Sequence, residues 1–496
     1  MTSQLYRTMF TSSEHLTATL AGPIVWLLCL CSYALEVRAD PDRLPSLGDA
    51  SSSIISPQLE KQIGASFLKQ LNANLPTVDD PLMKYYVAQQ IRELAQYSDL
   101  REPILSVVII DNPQINAFAA PGGVLGINLG LILAAEDVDE YSSVMAHELA
   151  HLSQRHFARG VAEQRSNTLP TLASLIAALI LGAAGGGDAM IAAVSGAQAA
   201  AQANQMRFSR DREQEADRIG MNTLIRAGKD PNATSRMFGR MQQAYQFTRK
   251  PPEFLLTHPL SETRIADART QAMRYQDRTT KTSIEYQLIR VRTQVHFQKN
   301  HAQGADGYRA QLRERPKDPA ASYGLALSLS KRGQHEAALA QAETLLNINN
   351  QNILYNAAYA ELLIAAGRTE QAKKMLSAQL QLNPDNPPLT SLYVNALNAD
   401  GQHLEAEKIL LRQSQIQPRD VDVWYTLAET AGLAGNISGV HLARADYFYL
   451  HGAYHRSIQH LEYAQRLLRR TNPQLEVKLR QRIQDLRTAI RVEQQS

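Results

Sequence analysis

Hydrophobic and polar positions alternate at two different periods along the first third of the chain. Apolar residues recur at helical spacing over residues 59–71 and 81–97, which predicts two amphipathic helices. A β-branched run at Ser106–Ile110 predicts a strand, and residues 116–127 predict two further extended pieces that turn at the Pro-Gly-Gly of residues 121–123. This stretch therefore predicts a pair of helices followed by a small β-sheet.

A longer helical pattern extends over residues 139–159. Two acidic residues at its start suit the positive N-terminal end of a helix, and Gly160 suits its C-terminal end. Residues 169–203 are then apolar and rich in alanine and glycine, and the Gly-Gly-Gly-Asp of residues 185–188 divides them. We expect two buried or membrane-leaning helices here. A transmembrane hairpin is the alternative, although each piece is short for a membrane span.

The second half of the chain contains an internal repeat. Glycines recur every 34 residues, and an alanine follows each of the first three by five residues: Gly333, Gly367, Gly401, Gly435, Ala338, Ala372 and Ala406. This period is typical of tetratricopeptide repeats, in which glycine forms the turn between two antiparallel helices and alanine lets the helices approach closely. In this register, residues 285–318 form a degenerate first repeat and residues 421–454 an irregular late one.

The first forty residues differ in character from the rest. Arg7 precedes an apolar run over residues 20–35, and the Val-Arg-Ala of residues 37–39 offers small residues for cleavage. We interpret this segment as a signal peptide cleaved near Ala39, because the run is shorter than the roughly 20 residues that a membrane span needs. A retained membrane anchor is the alternative. Both cysteines lie in this segment, so the predicted mature protein can form no disulfide.

Length indicates the number of domains, and charge indicates which kinds of partner to expect. The chain has 496 residues, which predicts two or three domains. Its formal net charge is +3 and 20% of its residues are charged, so no strongly basic surface is expected to dominate the molecule. Nucleic acid is therefore not the expected partner.

The first candidate metal-binding and catalytic residues lie in the middle of the predicted 139–159 helix. His147 and His151 are four residues apart, so their imidazoles project from one face and can bind one ion. Glu148 lies at the rim of that site, where its carboxylate can take a proton from an attacking water and pass it to the leaving amine. Two histidines are one ligand short of a catalytic zinc site, which has three protein ligands and one open position.

A polar segment at residues 209–220 offers the missing ligand. Glu213 and Asp217 are four residues apart, so one can bind the metal while the other hydrogen-bonds the outer nitrogen of a ligand histidine. Glu215 points to another side of the predicted helix. By itself, so highly charged a helix is more typical of a solvated surface.

Together these motifs resemble those of the CAAX prenyl protease and HtpX-type metallopeptidases. The resemblance rests on His-Glu-Leu-Ala-His at residues 147–151, Glu-x-x-Ala-Asp at residues 213–217 and Asn-Ala-Phe-Ala-Ala-Pro-Gly-Gly at residues 116–123. It extends over essentially everything after the predicted signal peptide. It implies one zinc ion per subunit, bound by His147, His151 and Glu213, with Glu148 as the catalytic base and Asp217 as a supporting residue behind the ligands.

Further residues are candidates for the same site. The family carries a histidine in a Thr-His-Pro loop, which His258 matches, and the resemblance implies that this ring fills the open zinc position at rest; a plain loop histidine is the alternative. Arg292 is a candidate site or oxyanion arginine, and a surface arginine is the simpler account. His156 is five residues past His151 and rotates away from the ligand face, so we interpret it as structural.

The predicted second strand has a functional interpretation as well. An exposed edge strand can pair with an extended substrate and align it over the metal, and the candidate residues are Asn116, Ala117, Phe118 and Ala119. An ordinary protected edge strand is the alternative.

The whole sequence predicts a mainly α protein. We expect a signal peptide at residues 1–39, an α-rich zinc metallopeptidase domain with a small sheet at 40–284, and a tetratricopeptide α-solenoid at 285–496. The resemblance implies a periplasmic endopeptidase with a chaperone-like role, which degrades misassembled outer-membrane proteins and contacts the β-barrel assembly machinery. The alternatives are a repeat-based chaperone or scaffold with a latent metal site, and an integral membrane protease.

Overall fold

The computed structural model describes residues 55–163, 210–246, 253–275 and 283–495. The predicted signal peptide and the apolar segment 169–203 lie outside these residues. Within the described ranges, no helix combines the length and the apolar character needed to cross a membrane.

Helices make up most of the N-terminal part. They are α1 (Pro57–Asn74), α2 (Pro81–Ala95), α3 (Leu129–Ala134), α4 (Val138–Ser153), α5 (His156–Glu163), α6 (Arg210–Arg226), α7 (Asn232–Gln246), α8 (Glu253–Thr257) and α9 (Glu262–Ala272). The side chains of Ser56 and Asp80 accept hydrogen bonds from amides in the first turns of α1 and α2, and a proline follows each cap. The predicted pair of amphipathic helices is confirmed.

The sheet has three strands, β1 (Ser106–Ile110), β2 (Ala117–Ala120) and β3 (Val124–Asn128), in the order β1-β3-β2. β1 runs parallel to β3, and β2 runs antiparallel to it. The turn between β2 and β3 contains Gly122 and Gly123, whose φ angles of 72° and 84° lie in the left-handed region that favours glycine. β2 is therefore an edge strand, and it packs against α4.

The predicted 139–159 helix is two helices in the structure. α4 ends and α5 begins on either side of Arg155, which has a left-handed φ of 51°. The Arg155 guanidinium donates to the Glu60 carboxylate over 2.9 Å and to the Ile55 carbonyl over 2.7 Å, and these contacts stabilise the break. Gly160 lies inside α5 and does not end a helix, which corrects the sequence prediction.

Helical hairpins form the C-terminal half, as the 34-residue period predicts. They are α10 (Ile284–Phe297), α11 (His301–Glu314), α12 (Pro319–Lys331), α13 (His335–Ile348), α14 (Ile353–Ala365), α15 (Thr369–Leu382), α16 (Pro387–Ala399), α17 (His403–Ile416), α18 (Val421–Leu433), α19 (Ile437–Leu450), α20 (Tyr454–Leu468) and α21 (Pro473–Gln495). Four repeat glycines have left-handed φ angles of 73° to 76°: Gly333, Gly367, Gly401 and Gly435. The mainly α architecture and the repeat are confirmed.

One hydrophobic cluster connects the N-terminal part with the first repeats. It includes Leu125 of β3, Leu149 of α4 and Leu363 of α14. α10 packs against both α3 and α12, so the predicted domain boundary at residue 284 stays a prediction. Later repeats also contact the N-terminal helices. Lys84 of α2 binds the carboxylates of Asp420 and Asp422 at the start of α18, over 2.6 and 2.8 Å.

Candidate metal centre

Four buried side chains bring donor atoms together beside α4. One atom from each of His147, His151, Glu213 and His258 lies within 4.8 Å of the others. The Nε2 atoms of His147 and His151 are 3.0 Å apart, and Nδ1 of His258 is 3.1 Å from Oε1 of Glu213. The structure thus places the histidine pair, the acidic candidate and the loop histidine of the sequence analysis in one cluster.

Three separate segments supply these groups. α4 presents His147 and His151 one turn apart, the first turn of α6 carries Glu213, and His258 directly follows α8. α4 and α6 approach closely at Gly220, where an added Cβ atom would lie 3.0 Å from the backbone nitrogen of His147. Because this position has no side chain, α6 packs close enough for Glu213 to reach the ligand histidines.

The donor set fits a zinc ion. Zinc sites in proteins combine imidazole nitrogens and carboxylate oxygens in four-coordinate geometry, and the cluster offers three imidazoles and one carboxylate. Burial acts to lower the pKa of His147, but Asp217 and Glu213 outweigh it and raise that pKa to about 10. The two carboxylates therefore give the pocket a negative potential, which favours a bound cation.

Asp217 and Arg264 support the ligands from behind. Oδ1 of Asp217 lies 2.9 Å from Nδ1 of His147, so Nε2 of the same ring faces the cluster. Arg264 donates two hydrogen bonds to Asp217, over 2.6 and 2.8 Å, and reaches Glu213 at 2.9 Å. Arg264 is not among the site residues predicted from the sequence. Its position in the first turn of α9, six residues after His258, is the signal that could have found it.

Glu148 is fully buried between the cluster and the edge strand β2. Burial raises the pKa of its carboxyl, and His258, His147 and the backbone of Ala119 oppose only part of that rise. A raised pKa suits a carboxylate that takes up a proton and returns it during one reaction cycle near neutral pH.

The His258 ring lies between Glu213 and Glu148. Its Nδ1 atom faces Glu213, and its Nε2 atom is 3.6 Å from Oε1 of Glu148. Phe254 stacks on the ring with centroids 4.7 Å apart, and the Phe254 amide donates to the carbonyl of Ile115, two residues before β2. α8 therefore docks at the start of the edge strand and places His258 beside the other three residues of the cluster.

A further group lies behind His151. Nδ1 of His156 is 2.7 Å from Nδ1 of His151, and Nε2 of His156 is 3.1 Å from Oε2 of Glu215. Burial, together with nearby guanidinium groups, outweighs the effect of Glu215 and lowers the pKa of His156 to about 4. The helix break at Arg155 brings this ring back to His151. The structure corrects the expectation that His156 turns away from the ligand face, and it leaves Glu215 outside the four-residue cluster, as the sequence predicted.

Arg292 does not lie at the cluster. Its guanidinium binds Asp80 at 2.5 Å, Glu361 at 2.9 Å and the hydroxyl of Tyr323 at 3.0 Å. It therefore ties the start of α2 to the repeat helices, because its own helix, α10, packs between them. Within the described residues, Arg264 is the arginine that contacts Glu213 and Asp217, which corrects the expectation for Arg292.

Two separate segments of the chain each match a known family. Residues 81–272 match peptidase family M48, and residues 363–430 match a tetratricopeptide repeat. A protein from Vibrio cholerae serotype O1 is 34% identical over 348 residues, which cover 68% of this chain and 72% of that one. The chain belongs to peptidase family M48.

Other M48 relatives agree with the resemblance inferred from the motifs. The beta-barrel assembly-enhancing protease of Escherichia coli K12 is 29% identical over 350 residues, which cover 69% of this chain and 70% of that one. The mitochondrial metalloendopeptidase OMA1 of Schizosaccharomyces pombe is 30% identical over 183 residues, 36% of this chain and 50% of that one. The predicted enzyme class and metal are confirmed: this M48 protein is a zinc metallopeptidase.

Proposed function

We propose that this M48 protein is a periplasmic zinc endopeptidase that degrades misassembled outer-membrane β-barrel proteins and assists their assembly. The observation that carries the proposal is the buried Glu148, which lies beside a complete ligand set and an edge strand. The name of the Escherichia coli relative supports a role in β-barrel assembly, with the assembly machinery as a partner. The apolar segment before Ala39 supports export through a cleaved signal peptide.

The proposed ligands are His147, His151 and Glu213. Zinc bound there would polarise the scissile carbonyl and lower the pKa of water. Glu148 takes the proton of the attacking water and delivers it to the leaving amine, and its burial keeps the pKa high enough for both transfers. Asp217 holds His147 in the orientation that faces the cluster, and Arg264 holds Asp217.

The edge strand is the proposed substrate platform. Among the described residues, β2 pairs with β3 on one side only, and its Ala119 backbone is near enough to Glu148 to affect the pKa of that carboxyl. An extended polypeptide that added to β2 through backbone hydrogen bonds would therefore cross the catalytic base. Residues 116–119 serve this role in the proposal.

His258 keeps the enzyme latent in this proposal. The ring separates Glu213 from Glu148, which is the space that a scissile carbonyl must enter. α8 also holds Ile115, two residues before β2, through the Phe254 amide. Displacement of this short segment would expose the fourth ligand position and the start of the platform together.

A chaperone or scaffold role is a second candidate, and a separate cleft favours it. The cleft has a volume of about 990 Å³ and lies between α2, β1 and the repeat helices α16 to α18, on the sheet edge away from β2. None of the four cluster residues lines it. Concave repeat arrays bind extended segments of partners, so the cleft can hold a client that never reaches Glu148.

The test compares Glu148→Gln and His258→Ala in the purified full-length mature protein, with an unfolded outer-membrane barrel protein as substrate. Glu148→Gln is expected to retain zinc and to cleave on the order of 10²- to 10⁴-fold more slowly, because the proton acceptor is lost. Full activity in Glu148→Gln would refute the mechanism. Suppression of barrel aggregation by Glu148→Gln would support the scaffold role.

For the latent state, His258→Ala is expected to increase the rate of cleavage, because the ring no longer blocks the space between Glu213 and Glu148. The control is His455→Ala, at an exposed histidine in the first turn of α20. An unchanged or lower rate in His258→Ala at full zinc occupancy would remove the latency proposal and leave the mechanism intact.

A further inference from the structure

The ring contact behind His151 is unusual for a proposed zinc ligand, because the partner of its outer nitrogen is another imidazole. Nε2 of His151 faces the cluster, 3.0 Å from Nε2 of His147, so Nδ1 is the outer nitrogen. That atom lies 2.7 Å from Nδ1 of His156, a fully buried residue. The other ligand histidine, His147, has the carboxylate of Asp217 in the same place.

The hydrogen bonds along this contact can all run in one direction, from His151 to His156 and from His156 to Glu215. A neutral His151 that binds a metal through Nε2 carries its proton on Nδ1 and donates it to Nδ1 of His156. His156 then carries its own proton on Nε2 and donates it to Oε2 of Glu215 over 3.1 Å. The Arg159 guanidinium donates to the same Glu215 oxygen over 2.9 Å, so the chain of contacts ends on a paired carboxylate.

Local backbone geometry builds this chain of contacts. The left-handed φ of Arg155 ends α4 and changes the direction of the chain into α5. His156 therefore contacts the ring of His151, which precedes it by five residues. His156 and Arg159 are three residues apart on α5 and therefore face the same point on α6, which is Glu215. A continuous helix would have carried His156 away from His151.

We propose that His156 is a positioning residue that fixes the tautomer and the ring orientation of His151 for zinc, with Glu215 and Arg159 holding His156 in turn. The inference deepens the proposed function, because it rests on His151 being a zinc ligand. A ring that only filled space in the core would affect folding but not the zinc affinity of folded protein. Zinc affinity therefore separates the two roles.

The experiment measures the zinc Kd by chelator competition, and the visible spectrum after cobalt substitution, in purified full-length mature protein. His156→Leu removes the acceptor for His151 and is expected to weaken zinc binding on the order of 10- to 100-fold. His156→Gln is expected to recover most of the affinity, because its amide oxygen can accept from His151 while its amide nitrogen donates to Glu215. The cobalt spectrum should shift in the leucine variant and less in the glutamine variant.

The chain offers a matched control in the repeat array. His441 of α19 and His460 of α20 also meet through their Nδ1 atoms, 3.0 Å apart. His460→Leu breaks the same type of ring contact and is expected to leave the zinc Kd unchanged. Glu215→Ala, at a half-buried residue, removes the acceptor for His156 and is expected to weaken zinc binding by a smaller factor, which keeps the inference testable if His156→Leu does not fold.

Three results would overturn the inference. The first is wild-type zinc affinity in folded His156→Leu and Glu215→Ala, with His151→Ala weakened; this leaves the ligand assignment of the proposed function standing. The second is wild-type affinity in His151→Ala, which refutes that ligand assignment and the inference with it. The third is equal weakening in the leucine and glutamine variants, which rejects an acceptor role for His156.

Discussion

One arginine at the metal centre and one in the repeat array are held in opposite ways. Arg264 is only 3% exposed and binds the carboxylates of Glu213 and Asp217. In the array, Arg368 binds Glu336 where the two side chains are 39% and 76% exposed. An interior charge depends on its partners, because it is costly when unpaired, whereas an exposed charge is solvated with or without a partner. The same kind of contact therefore fixes geometry at Arg264 and contributes little at Arg368.

The two regions also differ in how their parts are connected. The cluster needs α4, α6 and the residue after α8 to come together from three segments of the chain. In the array, most contacts join consecutive helices, so each repeat depends mainly on its neighbours. A change at the centre should therefore affect the whole site, and a change in the array should stay local.

The largest expected effect follows from the buried ion pairs. Arg264→Met is expected to lower the free energy of unfolding by about 3–5 kcal/mol, because it leaves two carboxylates buried without their cation. The matched change Arg368→Met is expected to lower it by at most about 1 kcal/mol. Urea unfolding of both variants gives the values. Equal, small losses would show that burial does not distinguish the two regions.

A smaller effect is expected from alanine at two glycines. Gly367→Ala places a side chain at a left-handed turn with open space around it, and the backbone strain costs about 1–2 kcal/mol. Gly220→Ala gains helix propensity but places a Cβ atom against the His147 backbone, so we expect a net loss of about 1 kcal/mol.

The zinc Kd distinguishes Gly220→Ala from Gly367→Ala, whereas their free energies of unfolding are expected to be similar. Gly220→Ala is expected to weaken zinc binding, since α6 must move away from α4 and carries Glu213 with it, while Gly367→Ala is expected to leave the Kd unchanged. Chelator competition on both variants measures this. Unaltered affinity in Gly220→Ala would mean that the close approach of the two helices does not position Glu213.

Local sequence patterns predicted the elements well. The β-branched run at Ser106–Ile110 is β1, and the 34-residue period gives the helical hairpins and their left-handed glycines. These features follow from short-range physics, because strand pattern, turn chemistry and repeat spacing are all encoded within a few tens of residues. Residues 1–39 and 169–203 lie outside the described part of the structure, so the signal peptide and the two apolar helices stay predictions.

Predictions that needed a three-dimensional neighbour succeeded less often. Arg292 had an apparent role at the site, but its position between α2 and the repeats gives it Asp80, Glu361 and Tyr323 as partners instead. Arg264 carried no local signal beyond its place after His258. His156 was misjudged because a continuous helix was assumed, and the break depends on Glu60 and Ile55, about a hundred residues earlier in the chain.

The sequence by itself determined the helical and repeat architecture, the His147, Glu148 and His151 motif, and the pairing of Glu213 with Asp217, because each of these depends on spacing along one helix or one repeat. Tertiary structure decided which groups stand behind the ligands and how close His258 lies to them. Arg264, His156 and His258 reach the cluster only because α4, α5, α6 and α8 pack together. Such contacts join segments far apart in the chain, and local patterns carry no record of them.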